Sequence, residues 1–225
     1  MRLDFVSAGA AQGLVAKIAA GDGVEVAGSF GAVGAMLEKF DSSEACDVVI
    51  LTRAQIAQLA SKGAVIESSV ADLGAAPTAI AVRAGETLPK VSDGPSLRLA
   101  LLAADAIYFP DPAKATAGIH FAKVLDQLGL GAELAARIRT FPNGTTAMKA
   151  MGGAPGHPIG CTQATEILAV PSVRLVAPLP KGFDLATVYT AAVSARASHR
   201  DAAEAFVKLM TGAGSRDARR AAGFE

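Results

Sequence analysis

IYFPDPAKATAGIHFAKVL, residues 107–125, holds a strand, a stop and a helix in direct succession. Ile107, Tyr108 and Phe109 form a short apolar run. Pro110-Asp111-Pro112 ends it, because ring-locked φ and missing N–H donors interrupt regular pairing. The spacing then predicts a helix with Thr116 as its N-cap and Ile119, Val124, Leu125 and Leu128 on its apolar face. A helix that starts just past the carboxyl end of a strand carries unpaired N–H groups and partial positive charge, which suits an anion. The chain repeats this strand, small-residue loop and helix several times, so several such loops are expected to face one cleft holding an oxyanion or carboxylate.

Working outward, residues 3–6, 24–29 and 46–51 read as strands. Each is followed by a small-residue loop and an apolar-periodic helix, with Thr52 capping the third. Three such units in series imply parallel strands joined by right-handed crossovers. Helices are expected over 96–104, 132–138, 163–168, 201–210 and 216–222, and further strands over 139–141, 159–162 and 173–176. Residues 151–158, rich in Gly and Pro, read as a hairpin region. Residues 77–83 (PTAIAVR) and 187–194 (TVYTAAVS) read as two crossings between lobes. The expected organisation is therefore a discontinuous first lobe, 1–80 plus 190–225, with a second lobe, 81–189, inserted into it and crossing strands near 79–84 and 187–194.

The 225 residues carry 21 Lys+Arg and 21 Asp+Glu, so the basic footprint of a nucleic-acid binder is absent and no nucleic-acid partner is expected. A composition 51% hydrophobic, with abundant Ala and Gly, fits closely packed α/β layers and not a disordered chain. No apolar run is long enough to insert into a membrane. Met1-Arg2-Leu3-Asp4 enters the first strand without a secretory leader, so the sequence as it stands reads as cytoplasmic, or as periplasmic if a leader has been removed. Cys46 and Cys161 lie far apart beside strands and read as two buried thiols. No nucleophile elbow, Walker loop or clustered metal ligands occur, and no cofactor or metal is expected. Gly28, Gly31 and Gly34 do not have dinucleotide-loop spacing.

The segments FVSAGAAQGL, GSFGAVGAMLEKF, CDVVILT, YFPDPAKATAGIHFAKVLDQLGL, RTFPNGTTAM, IGCTQATEI and the closing YTAAVS, AAEAFVKLM and AAGF cover nearly the whole chain. In order and wording they resemble the type II periplasmic-binding-protein fold, most closely its molybdate-binding, ModA-like branch, which includes aconitate isomerases. The resemblance implies an α/β fold of two lobes, each a mostly parallel sheet flanked by helices, with the ligand in the cleft between them. It also implies an oxyanion held by two loop serines, two backbone amides and a late tyrosine. In this sequence the first serine position falls at Gly9, beside Ala10 and two residues from Ser7. The second falls within Ala32-Val33-Gly34, and the tyrosine position falls at Gln163. The amide donors carry over near Ala117 and Gly144-Thr145. Exchanging serine for Gly, Ala or Val removes donors and widens the loops. What remains is a set of neutral hydrogen-bonders: Thr52, Thr116, Thr145, Thr146, Gln163 and Thr165. These suit a di- or tricarboxylate better than a compact oxyanion.

Other residues have two readings each. His120, one turn into its helix, either lines the cleft or packs under the loop. Asn143-Gly144 is a ligand loop or an ordinary turn, and Gly118 marks close packing or close ligand approach. Tyr189 reaches the ligand or packs the second crossing. Arg53 supplies a cation or is a solvated first-turn arginine. Glu166 reads as a helix surface charge, or as a catalytic base if the protein is an enzyme, with His120 as the other candidate base. His157 and His199 read as loop and surface. The resulting expectation is a solute-binding protein for a small anion, partnered by an ABC permease if exported. The competing expectation is a cytoplasmic isomerase moving a proton next to a carboxylate.

Overall fold

The computed structural model describes residues 1–42 and 45–225. The chain divides into two compact units, Met1–Ala76 with Val188–Glu225, and Pro77–Thr187. In chain order the elements are β1 (Arg2–Ala8), α1 (Gln12–Asp22), β2 (Glu25–Gly31), α2 (Val33–Ser42), β3 (Val48–Thr52), α3 (Arg53–Ser61) and β4 (Ala71–Arg83). There follow α4 (Gly94–Ala103), β5 (Ile107–Pro110), α5 (Thr116–Gln127), α6 (Gly131–Leu134), β6 (Ile138–Phe141), α7 (Gly144–Gly152), β7 (Ile159–Gln163) and α8 (Ala164–Leu168). The chain closes with β8 (Val173–Pro178), β9 (Ala186–Val193), α9 (Arg200–Thr211) and α10 (Arg216–Ala221). β4 and β9 each run from one unit into the other.

In the first unit β1 pairs in parallel with β2 and β3, and β3 pairs antiparallel with β9, Thr52 opposite Tyr189. β3 from Val48 to Leu51 and β1 from Phe5 to Ala8 are buried on both faces, as strands covered by layers on each side require. The amphipathic helix α9 buries Ala203, Phe206, Val207 and Met210 at three- and four-residue spacing. Phe206 meets Phe5 edge-on, with ring centroids 5.6 Å apart. The third strand begins at Val48, later than its apolar run suggests. Asp47, just ahead of it, is buried and accepts from the backbone N–H of Asp4 at 3.0 Å and of His199 at 2.9 Å, so this position belongs to a polar junction.

In the second unit β5 pairs in parallel with β6 and β7, while β4 pairs antiparallel with β7 and β8. Antiparallel pairing is thus confined, among the described strands, to the pairs made by β4 and β9. One core gathers Phe109 and Phe121 in an edge-on contact at 5.3 Å with Leu97, Val124 and Ile159. A second gathers Met148, Met151 and Ile167. Asp93 caps α4 with a reciprocal Ser96 bond, and Pro95 occupies the first turn, where no N–H is needed. The segment expected as a hairpin, 151–158, instead finishes α7 and continues as a loop. The Arg83 guanidinium pins this loop by donating to the carbonyls of Ala154 at 2.5 Å and Gly156 at 2.9 Å.

Candidate functional site

Parallel pairing puts the carboxyl ends of β5, β6 and β7, at Pro110, Phe141 and Gln163, on one edge of the second unit's sheet. Antiparallel β4 brings Thr78 to the same edge, in register with Gln163. α5, α7 and α8 start from that edge. One of the three starts has a side-chain cap and two do not. α7 is capped by Asn143, whose Oδ1 accepts from the backbone N–H and the hydroxyl of Thr146, both at 2.9 Å. α8 begins after Gln163 without a side-chain cap. α5 begins after Ala115, also without a side-chain cap. The sequence points to Thr116 as that cap. In the structure Thr116 is the first helical residue, because Asp111 folds the preceding loop back by accepting from the N–H groups of Ala113 and Lys114. That fold places methyl-bearing Ala115 at the boundary.

Ala117 and Gly118 are buried in the first turn of α5. A Cβ on Gly118 would lie 2.3 Å from the carbonyl oxygens of Pro110 and Asp111, so the glycine lets the helix start press against the strand end. His120, half-buried on the same helix, has Nε2 2.7 Å from the Phe183 carbonyl. A carbonyl only accepts, so Nε2 carries the proton and Nδ1 is the ring's remaining acceptor.

Around this edge four buried side-chain oxygens find no hydrogen-bond partner among the described residues: Thr78 Oγ1, Thr145 Oγ1, Gln163 Oε1 and Thr165 Oγ1. Thr78, Gln163 and Thr165 are only 1%, 2% and 4% exposed, where an unpaired polar atom costs about 1–3 kcal/mol. Gln163 keeps one bond, donating from Nε2 to Thr187 Oγ1 at 3.3 Å.

The other strong feature of this edge is Glu166, expected on the helix surface and found 6% exposed. With only five residues, α8 has too little periodicity to show its inward face from sequence, which is why the surface assignment fails. The Glu166 carboxylate accepts from the Thr162 hydroxyl at 2.6 Å and from the backbone N–H groups of Thr145, Gly144 and Gln163. Burial pushes its carboxyl above the usual range, against the lowering pull of those donors. Thr78, Thr162 and Thr187 were absent from the sequence expectations. Their one signal is a threonine inside an otherwise apolar strand run.

The first unit's candidates sit differently. Gly9, Ala10, Ala32 and Val33 are buried, and Gly34 is half-buried. Ser7 is fully buried in β1 and donates to the Ala8 carbonyl at 3.0 Å. Thr52 closes a capping box with Gln55, donating from Oγ1 to Gln55 Oε1 at 2.8 Å. Arg53 is paired through two nitrogens with Asp72, which also accepts from Thr190 at 2.6 Å. Tyr189 is buried edge-on to Phe224, with ring centroids 6.3 Å apart. Both cysteines are buried thiols; burial pushes Cys46 up to about 12, so neither ionises near neutrality. Among the described residues no acidic, His or Cys cluster could hold a metal, and no helix is long and apolar enough to cross a membrane. A cavity of about 420 Å³ in the second unit, lined by Val82, Glu86, Ala100, His157 and Ile159, lies by the amino-terminal end of β7, away from this edge.

The family model for bacterial extracellular solute-binding proteins matches residues 6–225. An aconitate isomerase from a Pseudomonas species is 28% identical over 181 residues, which are 80% of this chain and 66% of that protein, so the match spans just under two thirds of the relative. The periplasmic molybdate-binding protein of Azotobacter vinelandii superposes with a TM-score of 0.77 at 20% identity, covering 99% of this chain and 98% of its own. A sulfate-binding protein from Mycobacterium tuberculosis does so with a TM-score of 0.69 at 18% identity, covering 100% and 86%.

Proposed function

The chain belongs to the bacterial extracellular solute-binding protein family and has the fold of its molybdate-binding relatives; from that premise we propose that it binds a small di- or tricarboxylate. The observation that supports this is the carboxyl edge of the second unit's sheet. It combines the uncapped start of α5 with the buried and unpaired oxygens of Thr78, Gln163 and Thr165. Aligned peptide N–H groups give charge-assisted bonds to a carboxylate without a cation. The unpaired hydroxyls and the Gln163 amide add partners that a ligand with several oxygens can satisfy together. Arg53, the cation in the first turn of α3, is already held by Asp72. Family membership favours export, with an ABC-type permease as the partner, and fractionation of cells expressing the gene from its own start site tests that location.

The test of the ligand class is thermal shift with molybdate, tungstate, sulfate, citrate, cis-aconitate and trans-aconitate. A ligand at a hundred times its Kd adds about 2.7 kcal/mol, read as a rise in Tm of about 5–10 °C for a chain of this size. The expected response is to one or more carboxylates. A response to molybdate alone overturns the proposal.

The likeness to an aconitate isomerase supports a second reading, proton abstraction next to a carboxylate with helix-end N–H groups stabilising the enediolate-like charge. Of its candidate bases, Glu166 is engaged by three N–H groups and a hydroxyl, and His120, held through Nε2, keeps Nδ1 alone as an acceptor. Binding is therefore the favoured reading. NMR of cis-aconitate incubated with the protein in D₂O separates the two. Absence of trans product and of deuterium uptake leaves binding alone, and His120→Ala is then expected to change affinity only.

A further inference from the structure

Helix starts at the carboxyl edge of the second unit would ordinarily be equivalent places for a ligand anion, yet one of them is already filled from within. Glu166 brings its buried carboxyl group to the first turn of α7, where it accepts from the N–H groups of Gly144 and Thr145, with the Thr162 hydroxyl at 2.6 Å and the Gln163 N–H completing its shell. The approach depends on residue 144 having no side chain. A Cβ there would lie 2.1 Å from Glu166 Oε2 and 2.0 Å from Thr162 Oγ1. Gly144 and Glu166 are therefore a matched pair. Asn143 takes the Thr146 N–H, so the first three N–H groups of α7 all have acceptors supplied by the chain itself. Of the unpaired oxygens, those of Thr78, Gln163 and Thr165 lie on β4, β7 and α8, and that of Thr145 lies on α7 as a hydroxyl, not an N–H.

We infer that Glu166 is a specificity-determining residue: a tethered carboxylate, admitted by Gly144, that occupies the donors at the start of α7 and bars a free anion from them. This deepens the proposed function and rests on it only for the identity of the ligand. Loss of the start of α7 leaves fewer N–H donors for a compact oxyanion that must be held by several at once. An extended carboxylate, reaching from the start of α5 to the side chains of β4, β7 and α8, needs none from α7.

Chemical rescue tests the inference. Glu166→Ala vacates a space the size of a small carboxylate and leaves its donors in place. The variant is expected to melt lower than the wild type by about 5 °C or more, and tens-of-millimolar formate or acetate is expected to restore much of that loss. The same salts should do nothing to the wild type beyond a chloride control. They should also do nothing to Glu166→Gln, whose side chain still fills the space. A gain of molybdate or sulfate binding in Glu166→Ala, absent from the wild type, is the expected specificity change. No rescue, no gained oxyanion binding, or equal rescue of Glu166→Gln each overturns the inference. Should Glu166→Ala fail to fold, hydrogen exchange on the wild type decides. The Gly144 and Thr145 amides are expected to be strongly protected, and exchange at open-chain rates overturns the assignment. A wild-type ligand panel in which nothing raises Tm defeats the proposed function, whereas failed rescue beside a clear carboxylate response defeats only this inference.

Discussion

Two buried carboxylates titrate in opposite directions, and the sign of each follows from its surroundings. At Asp47 burial pushes the carboxyl up, but the N–H groups of Asp4 and His199 and the His199 ring together outweigh it, and the net shift is down from 3.8. A depressed carboxyl stabilises the fold above its ordinary value and loses that contribution as pH falls through the depressed one. Glu166 is shifted up from 4.5, so its share of stability is full below that value and declines as pH rises through the raised one. Acid unfolding below about pH 4 should therefore carry a clear Asp47 component. Asp47→Ala is expected to cost about 1–3 kcal/mol at neutral pH, because it takes the acceptor from two N–H donors, and to flatten the acid limb of a plot of Tm against pH. An unchanged acid limb would show that the junction before β3 does not hold the carboxylate as drawn. Sequence reading could list both acids but not separate them. Asp47 is buried because β1 and the stretch between β9 and α9 converge on it, and Glu166 because a five-residue helix turns it inward. Both are facts of tertiary placement that local spacing does not carry.

For secondary-structure elements the sequence spoke more clearly, and its errors have identifiable causes. Among the described strands all but β6 coincide with apolar runs, and Thr52 is the cap of α3 that the sequence indicates, where the full capping box forms. The start of α5 was read one residue late, since a capping preference for threonine competes with the turn that Asp111 imposes from upstream. That displacement bears on function. A threonine at the cap would have satisfied an N–H of the first turn, whereas Ala115 satisfies none with its side chain. Gly118, which in the sequence marks close packing or close ligand approach, is explained by the 2.3 Å that a Cβ would leave to the carbonyls of Pro110 and Asp111. Gly118→Ala should improve helix propensity by about 1 kcal/mol. It should nevertheless destabilise the protein by a net amount of about 1–3 kcal/mol, because backbone on the other side cannot yield as a flexible side chain would. Chemical denaturation gives the sign directly. A stabilised variant would mean that α5 can lift from the strand end, and that its first turn is not held in place for a ligand.

The largest structural claim in the sequence was an inserted unit, and the chain's contacts offer a way to test it as a folding proposal. Pro77–Thr187 is continuous and contains β5 to β8, both cores built on Phe109, Phe121, Met148 and Ile167, and every oxygen that the proposed function invokes. The remaining unit is assembled from two distant pieces. Phe5 and Tyr189 complete their packing only with Phe206 and Phe224 from the last stretch of the chain, and β3 pairs with β9. A fragment of residues 77–187 should therefore fold alone, with dispersed amide NMR signals and a cooperative melt. A fragment of residues 1–76 should not, since its sheet lacks β9 and its core lacks α9. Mixing that fragment with residues 188–225 should restore helical circular dichroism that neither piece shows alone. The same folded fragment carries the prediction to function. If its edge supplies the ligand's hydrogen bonds, a carboxylate that stabilises the whole chain should perturb the amides of Thr116, Ala117 and Gln163 in the fragment, with weaker affinity, and leave those of Gly144 and Thr145 unmoved. A folded fragment whose Gly144 and Thr145 signals respond first would place the anion where Glu166 now sits.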